Sequence, residues 1–365
     1  MCRRSCASTS SGSLYAEVEE LCWVTHVRIE LACLWLANGD PMTEAPIPFS
    51  AFTNFERLTP QEPLLQVDPP HWAAASHAII IDNTVHYLWA EKRDRDWVLM
   101  HNWAPTSDPT EVTTDPRNPI LKPQHPFENK GVEYPYPFYN PADGRFYMFY
   151  LCSQGGELPT RKQTGLLVAD DDLSTWTRVG DTPVVCVGGA HEEHGCSHPS
   201  VTLVADVIHM VYTGEAPAPP EREKMLYNVP TICHATAPTS DPTQVTKDLA
   251  NPIFTGSGLD WDRHGVREAE ILKGPVYFHI FYGGYDGQVW AIGHVRTRDF
   301  RTFEPNPSNP IFTPSRDPKA WDSSGLLTPQ VFQMNGGYYM IYAGLKGCAW
   351  NDVSEVQTGL AVARG

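Results

Sequence analysis

The sequence predicts an all-β protein built from repeated four-stranded units, and three features indicate it. The 33 prolines and 27 glycines are spread along all 365 residues rather than gathered in one linker, as in a chain of many short strands and turns. An Asn-Pro-Ile phrase begins at Asn118, Asn251 and Asn309, with a degenerate copy at Asp181, so it returns at intervals of about 60 residues. A second phrase and a pattern of aromatic strands repeat with it.

The second phrase precedes the most apolar strand of each unit. Residues 261–270 align without gaps with residues 321–330, each beginning Trp-Asp and carrying a glycine three residues after the Asp. The same frame returns at 127–135 and 192–199, and a weaker copy without the glycine spans 72–78. The chain therefore contains five units.

Aromatic and apolar residues alternate in the strand that follows each phrase, as in a half-buried strand. Third strands are clearest at 163–169 and 357–363, which are near copies. The last unit lacks a fourth strand, whereas residues 54–58 have the pattern of one. The sequence therefore predicts a five-bladed β-propeller with four-stranded antiparallel blades, in which an N-terminal strand completes the last blade and leaves no open sheet edge.

The propeller pattern also divides the chain. We predict a single propeller domain over residues 47–365. Residues 1–46 lie outside the repeat and are interpreted as an N-terminal extension, either helical or disordered.

Charge and composition exclude several classes of partner. The net charge is −16, the pI is near 5.2 and no run of basic residues occurs, so nucleic acid is not expected as a partner. The apolar stretch 21–37 is interrupted by charged residues and is too short to span a membrane. The nine cysteines form no CxxC pair, and no signal peptide is recognised. We expect a cytoplasmic protein with reduced thiols, a small-molecule or oligosaccharide ligand and no membrane partner; its oligomeric state is open.

Residues 48–365 resemble the five-bladed propeller superfamily of carbohydrate-active enzymes, which includes glycoside hydrolase families 32, 43, 68, 117 and 130. The resemblance rests on the repeated phrases and the closing strand. It implies that the first strand of each blade lines a central channel and carries catalytic groups three residues after the recurrent glycine. That position is read as His77, Tyr134, His198, Glu268 and Thr328. Family 43 has two Asp and one Glu there, so the Asp pair is not matched.

Glu268 is the expected general acid, because its Arg-Glu-Ala context is similar to that of the family 43 acid, and burial beside aromatic strands would raise its pKa. The alternative is a structural ion pair with Arg267. Glu133 is the expected second carboxylate, acting as base, unless it faces solvent at the rim. Asp68 is the reserve candidate for the base. Inverting hydrolysis would place the two carboxyl groups about 6.5–9.5 Å apart.

Further residues are candidates for binding. His77, His198 and Glu268 could hold a metal ion in the channel; otherwise the histidines donate protons or hydrogen bonds, and no cofactor is predicted. Asp262, Asp322, Glu128 and Glu192 recur at one repeat position and are interpreted as structural, with Asp262 the exception. The candidates for contact with substrate are Tyr134, Arg267, Glu270, Trp72, His264, Asp262 and Thr328.

The sequence thus leaves three functions open. The leading one is a glycoside hydrolase-like enzyme with Glu268 as general acid. The second is a non-hydrolytic cyclase, isomerase or lyase of small-molecule metabolism that uses His77, His198 and Tyr134. The third is an inactive relative that binds carbohydrate.

Overall fold

The computed structural model describes residues 45–68, 71–93, 96–155, 161–169, 173–221, 228–347 and 353–364. These residues form strands joined by turns, with short 3-10 turns at Phe49–Phe52, Pro126–Glu128 and Asp260–Asp262, and they contain no α-helix. None of the described segments is a helix that could cross a membrane. The predicted extension 1–46 lies almost wholly outside the described residues, so the domain boundary stays a prediction.

The strands group into four-stranded units that follow the sequence repeat. Unit 1 contains β2 (Trp72–Ile81), β3 (Thr84–Arg93), β4 (Asp96–Pro105) and β5 (Thr113–Thr114). Unit 2 contains β6 (Gly131–Asn140), β7 (Arg145–Gln154), β8 (Arg161–Ala169) and β9 (Thr177–Arg178). Unit 3 contains β10 (Gly195–Val204), β11 (Val207–Pro217), β12 (Asn228–Pro238) and β13 (Thr246–Lys247). Unit 4 contains β14 (Gly265–Lys273), β15 (Phe278–Tyr285), β16 (Trp290–Thr297) and β17 (Phe303–Pro305). Unit 5 contains β18 (Gly325–Met334), β19 (Gly337–Gly347), β20 (Val353–Ala363) and β1 (Phe55–Arg57).

Strand pairing within each unit is antiparallel and follows chain order. Units 2 and 3 join into one eight-stranded sheet through a single parallel pair, Gly195 with Lys162. In unit 5 the N-terminal strand β1 pairs with β20, from Phe55 opposite Ala363 to Arg57 opposite Ala361. The predicted completion of the last sheet by an N-terminal strand is therefore present.

A buried carboxylate holds each of units 2 to 5 together. The carboxylates of Glu128, Glu192, Asp262 and Asp322 each accept a hydrogen bond from the tyrosine hydroxyl in the second strand of the same unit. In three of these units a cation also pairs with the carboxylate: Arg178 with Glu128, Lys247 with Glu192, and Arg57 with Asp322. Asp262 instead accepts bonds from the backbone and hydroxyl of Ser257. Asp262 is fully buried in the same role as the others, which differs from its expected contact with substrate.

Histidine pairs connect the second and third strands of units 1, 3 and 4. The paired rings are His86 with His101, His209 with His234, and His279 with His294, at 3.0, 3.2 and 3.0 Å between ring nitrogens. In each pair the Asn of the Asn-Pro-Ile phrase bonds the backbone N–H and C=O of the third-strand histidine. The Asn-Pro-Ile phrase is therefore hydrogen-bonded to the third strand in each of these units.

Candidate active site

The first strand of every unit has the same irregularity. A β-bulge separates Ala74 from His77, Glu133 from Tyr136, Ser197 from Ser200, Arg267 from Glu270, and Leu327 from Gln330. One residue in each bulge has a positive φ, between 49° and 56°: Ala75, Tyr134, His198, Glu268 and Thr328. A bulge re-aims the side chain it carries. We call these five residues the first ring, and the residues two positions later the second ring: His77, Tyr136, Ser200, Glu270 and Gln330.

The two rings line one pocket. All five residues of the first ring contribute, together with His77, Tyr136, Glu270 and Gln330 of the second. The free space among them is about 40 Å³, room for a few water molecules. Four members of the first ring are residues that the sequence repeat assigned to this position. Unit 1 differs: its residue is Ala75, and His77 belongs to the second ring, because the weak copy of the phrase in unit 1 has no glycine to set the frame.

Glu268 lies at the centre of the first ring. The Tyr134 hydroxyl donates to its Oε1 at 3.3 Å, and His198 Nε2 lies 3.3 Å from the same oxygen. Arg267 Nε is 2.9 Å from Oε1, and the backbone N–H of Thr328 donates to Oε2 at 3.1 Å. Glu268 therefore gathers contacts from units 2, 3, 4 and 5.

These contacts determine the charge of Glu268. Burial opposes ionisation, but the nearby charge of Arg267, followed by His198, lowers the pKa of Glu268 to about 2. Our expectation of a raised pKa was wrong, because the Arg267 ion pair outweighs desolvation. At neutral pH this carboxyl is an anion and cannot donate a proton.

Glu133 occupies the repeat position of Arg267, one residue before the first ring. It is half-buried, and Ser153 Oγ donates to its Oε1 at 2.9 Å. Burial raises the pKa of Glu133 to about 7, although Lys162 and the Ser153 hydrogen bond act in the opposite direction. Glu133 does not line the pocket, and near neutral pH it holds a proton part of the time.

Glu215 is a buried acid that we did not predict from the sequence, and it contacts residues of units 2, 3 and 4. Glu215 bonds Lys162 Nζ at 3.0 Å and Ser197 Oγ at 2.7 Å, accepts a bond from Asn228, and lies 4.0 Å from Arg267 Nη2. Burial opposes its ionisation, yet Lys162 and Arg267 lower the pKa of Glu215 to about 2. The signal was available, because units 2, 4 and 5 carry Ser153, Tyr285 and Leu345 at this position and unit 3 alone has a carboxylate there.

His198 contacts the Glu268 carboxylate directly and the Glu215 carboxylate through Ser197. Its Nδ1 lies 2.6 Å from Ser197 Oγ, which also contacts Glu215, and its Nε2 faces Glu268. Burial lowers the pKa of His198 to about 4 despite the attraction of Glu268. A neutral imidazole carries one ring proton for two acceptors. The ring therefore links the Ser197 hydroxyl, which contacts Glu215, with the Glu268 carboxylate.

Hydrogen bonds and ring packing connect the side chains of the second ring. The Tyr136 hydroxyl donates to Glu270 at 2.9 Å, and burial keeps the pKa of Glu270 well above its usual value. His77 packs on the Tyr136 ring at 4.1 Å and contacts Gln330 at 3.3 Å, and burial lowers its pKa to about 3. The three expected metal ligands thus divide between the rings, with His77 in one and His198 and Glu268 in the other.

The remaining candidates differ in position. Thr328 Oγ1 is buried in the pocket wall, and among the described residues it has no hydrogen-bond partner. Trp72 packs against Trp97 and Lys92, and His264 lies beside Arg263. Asp68 is exposed and does not line the pocket. Of these residues, the structure brings only Thr328 to the pocket.

Comparison with solved structures identifies the class of fold. A structure of BT0996 in a complex with RGII matches with a TM-score of 0.67 and 13% identity, over 86% of this sequence and 94% of that one. A family 130 protein, from a study of mannoside phosphorylases and glycoside hydrolases that target β-1,2 mannosidic linkages in Candida mannan, matches with a TM-score of 0.63 and 17% identity, over 87% and 95%. A thermostable family 43 glycoside hydrolase matches with a TM-score of 0.60 and 11% identity, over 83% and 92%.

The protein therefore has the β-propeller fold of the glycoside hydrolases that its sequence resembles. No protein-family model matches the sequence, and no curated protein matches it by sequence. At 11–17% identity the likeness describes the fold, and the chemistry has to be argued from the site.

Proposed function

We propose that the protein is a glycan-active enzyme that cleaves a glycosidic bond at the mouth of the pocket. The observation that carries this proposal is a pair of carboxyl groups with pKa values held apart, Glu268 at about 2 and Glu133 at about 7. Glycoside hydrolysis needs one carboxylate and one carboxylic acid at the same bond. The charge of Lys162 lowers the pKa of both groups. The glycoside hydrolase neighbours support this class of reaction.

The proposed roles of Glu268 and Glu133 follow from their charges at neutral pH. They are the reverse of the roles that we expected from the sequence. Glu268 is the anion, which stabilises positive charge developing on the sugar or activates a water molecule. Glu133 is the proton donor to the leaving oxygen. Arg267 and the Thr328 backbone hold the Glu268 carboxylate in place, and Tyr134 and His198 complete its hydrogen bonds.

A screen of aryl glycosides with the full chain tests the proposal. With a substrate that is cleaved, we expect Glu268→Gln to lower kcat by about 100-fold or more. For Glu133→Gln we expect a loss that is largest with poor leaving groups, because these need the proton. Glu111→Gln, on the exposed surface, is the matched control. Full activity of Glu268→Gln would contradict the assignment.

The dependence of rate on pH tests the two roles separately. Activity should fall as the pH rises through about 7, because Glu133 loses its proton. That alkaline limb should disappear in Glu133→Gln. A limb that persists unchanged in this variant would remove Glu133 from the role of acid.

A second candidate function is supported by the small free space and by the position of His198. A non-hydrolytic enzyme could use His198 and Tyr134 to move a proton on a compact metabolite, with His77 behind them in the second ring. Activity lost in His198→Ala but kept in Glu268→Gln would favour this function. Binding of a sugar or metabolite without turnover would favour the third, an inactive binding protein.

We also propose that the five units are the five blades of one propeller and that this domain spans residues 47–365. The five equivalent bulges, each with one residue at positive φ, support the five blades, and the compact unit that begins at Pro46 supports the boundary. Limited proteolysis that leaves a stable fragment starting near residue 47 would test the boundary.

A further inference from the structure

A cluster of metal-ligand side chains lies in unit 3, outside the pocket. It contains His191, Glu192 and Cys233, which have one imidazole nitrogen, one carboxylate oxygen and the Sγ within 4.8 Å of one another. His191 Nε2 is 3.7 Å from Glu192 Oε2, and Cys196 Sγ is 3.2 Å from the same oxygen. Thus one thiol, one imidazole and one carboxylate meet at one place, and a second thiol contacts the carboxylate.

The other units show what this place normally contains. The position of His191 is Phe127, Trp261 or Trp321 in units 2, 4 and 5, and the position of Cys233 is Gly165, Gly293 or Gly359. In unit 4 a Cβ on Gly293 would lie 2.2 Å from the Trp261 indole, so the ring packs directly on the glycine. Among units 2 to 5, unit 3 alone replaces both partners, with an imidazole in place of the large ring and a thiol in place of the glycine.

Cys196 is a third replacement at the same site. Its position is Val132, Val266 or Leu326 in the other three units. Packing alone therefore accepts apolar residues here, and three changes in one unit all introduce a group that binds soft metals. The cluster also contains an unused group: His191 Nε2 is buried and has no hydrogen-bond partner among the described residues.

We propose that His191, Glu192, Cys196 and Cys233 form a binding site for a Zn²⁺-class metal ion. Zn²⁺ accepts thiolate, imidazole and carboxylate ligands, and four protein ligands make a closed site. With Zn–S near 2.3 Å and Zn–N near 2.0–2.1 Å, tetrahedral ligand atoms lie about 3.5 Å apart. His191, Glu192 and Cys233, whose ligand atoms lie within 4.8 Å of one another, therefore move closer together on binding, and Cys196 moves in to join them. Binding releases the two thiol protons and leaves a site with three negative ligands for one dication.

Lys247 is the competitor of the metal ion. Its ammonium pairs with Glu192 Oε1 and lies 3.4 Å from Cys196 Sγ, so it supplies the positive charge of the cluster. Arg178 and Arg57 occupy the same role in units 2 and 5, where the described residues contain no group of metal-ligand side chains like that of unit 3. The metal site is therefore a property of unit 3 and does not depend on the proposed catalytic reaction.

Calorimetric titration of the full chain with ZnCl₂ tests the site. The double variant His191→Trp, Cys233→Gly installs the residues of units 4 and 5, so it should fold and should bind one equivalent of Zn²⁺ fewer than the wild type. Cys186→Ser, which changes an exposed thiol near the cluster, should bind as the wild type does. Equal stoichiometry and affinity in the wild type and the double variant would overturn the proposal, as would loss of the equivalent in Cys186→Ser.

Two further variants keep the test decisive if the double variant does not fold. Cys196→Val installs the residue of units 2 and 4 and should weaken binding at least tenfold. Lys247→Met removes the competing charge and should strengthen binding at least tenfold. Titration with Co²⁺ provides a second readout, because thiolate ligation gives a near-ultraviolet absorption band that the double variant should reduce. An unchanged band would contradict the ligand set.

Discussion

The buried carboxylates and the first ring are two sets of equivalent positions that meet different demands within one repeat. In units 2 to 5 the carboxylate position is always Glu or Asp and always bonds a tyrosine. In the first ring the backbone is constant, with a bulge and a positive φ in every unit, while the five side chains are all different. Constant side chains build the sheets, and a constant backbone with varied side chains builds a site. Four predictions test this distinction.

The largest expected effect is on stability at the carboxylate position. Glu128 is fully buried and bonds Tyr150, Arg178 and two backbone N–H groups. Glu128→Ala leaves these donors unpaired and should lower the free energy of unfolding by about 3–5 kcal/mol. Urea unfolding followed by fluorescence measures it. The exposed variant Glu111→Gln should unfold like the wild type, and a similar curve for Glu128→Ala would contradict the structural role.

The next effect is a dependence of stability on pH that arises from the histidine pairs. Burial lowers the pKa values of His209 and His279 to about 4, below the usual 6.5 of an unfolded chain. As the pH falls from 6.5 toward 4 the unfolded chain binds protons and the folded chain does not, so stability decreases. For the fully buried His279 the loss is about 2 kcal/mol at pH 5 and reaches about 3 kcal/mol at pH 4. Thermal unfolding at pH 7.5 and pH 5 should show it.

Units 2 and 5 supply the matched control for this dependence. They carry Tyr147 and Tyr339 at the second-strand histidine position, and Leu166 and Leu360 at the third-strand position. The double variant His279→Tyr, His294→Leu should therefore reduce the decrease in Tm between pH 7.5 and pH 5. If its decrease equals that of the wild type, other groups cause the acid sensitivity.

A smaller stability effect is expected in the first ring. Glu268→Gln keeps the shape of the side chain and most of its hydrogen bonds, and Arg267 stays within 4.0 Å of Glu215. We expect a decrease in the free energy of unfolding of about 1–2 kcal/mol, less than for Glu128→Ala. Urea unfolding of both variants compares the two positions directly. A greater loss in Glu268→Gln would make this residue a structural one.

The smallest effect is on the backbone of the first ring. Ala75 has a φ of 55°, a conformation that glycine adopts without the cost of a Cβ atom. Ala75→Gly should therefore raise the free energy of unfolding by about 1 kcal/mol. An increase in Tm checks it, and Ala78→Gly, in the regular part of the same strand, should decrease Tm instead. A decrease in both variants would show that the bulge is not strained.

The sequence alone was sufficient for the strands, because the repeat places aromatic and apolar residues at fixed intervals and each unit supports the others. It also singled out Tyr134, His198, Glu268 and Thr328. It did not identify Ala75, since the unit 1 phrase lacks the glycine that sets the frame. The charge of Glu268 was predicted in the wrong direction because it depends on the path of the Arg267 side chain across a bulge. Glu215 was missed although unit 3 alone has a carboxylate at its repeat position, whereas its pairing with Lys162 joins two units that no local pattern connects.

The pairing of β1 with β20 has a consequence for synthesis of the protein. These two strands are about 300 residues apart, and a ribosome that adds about 5–20 residues per second makes them many seconds apart. Until β20 emerges, β1 has no partner strand. Arg57 likewise cannot form its ion pair until Asp322 has been synthesised. The nascent chain therefore carries an unpaired strand edge for most of its translation, and a chaperone that binds unpaired strands would have its longest opportunity there.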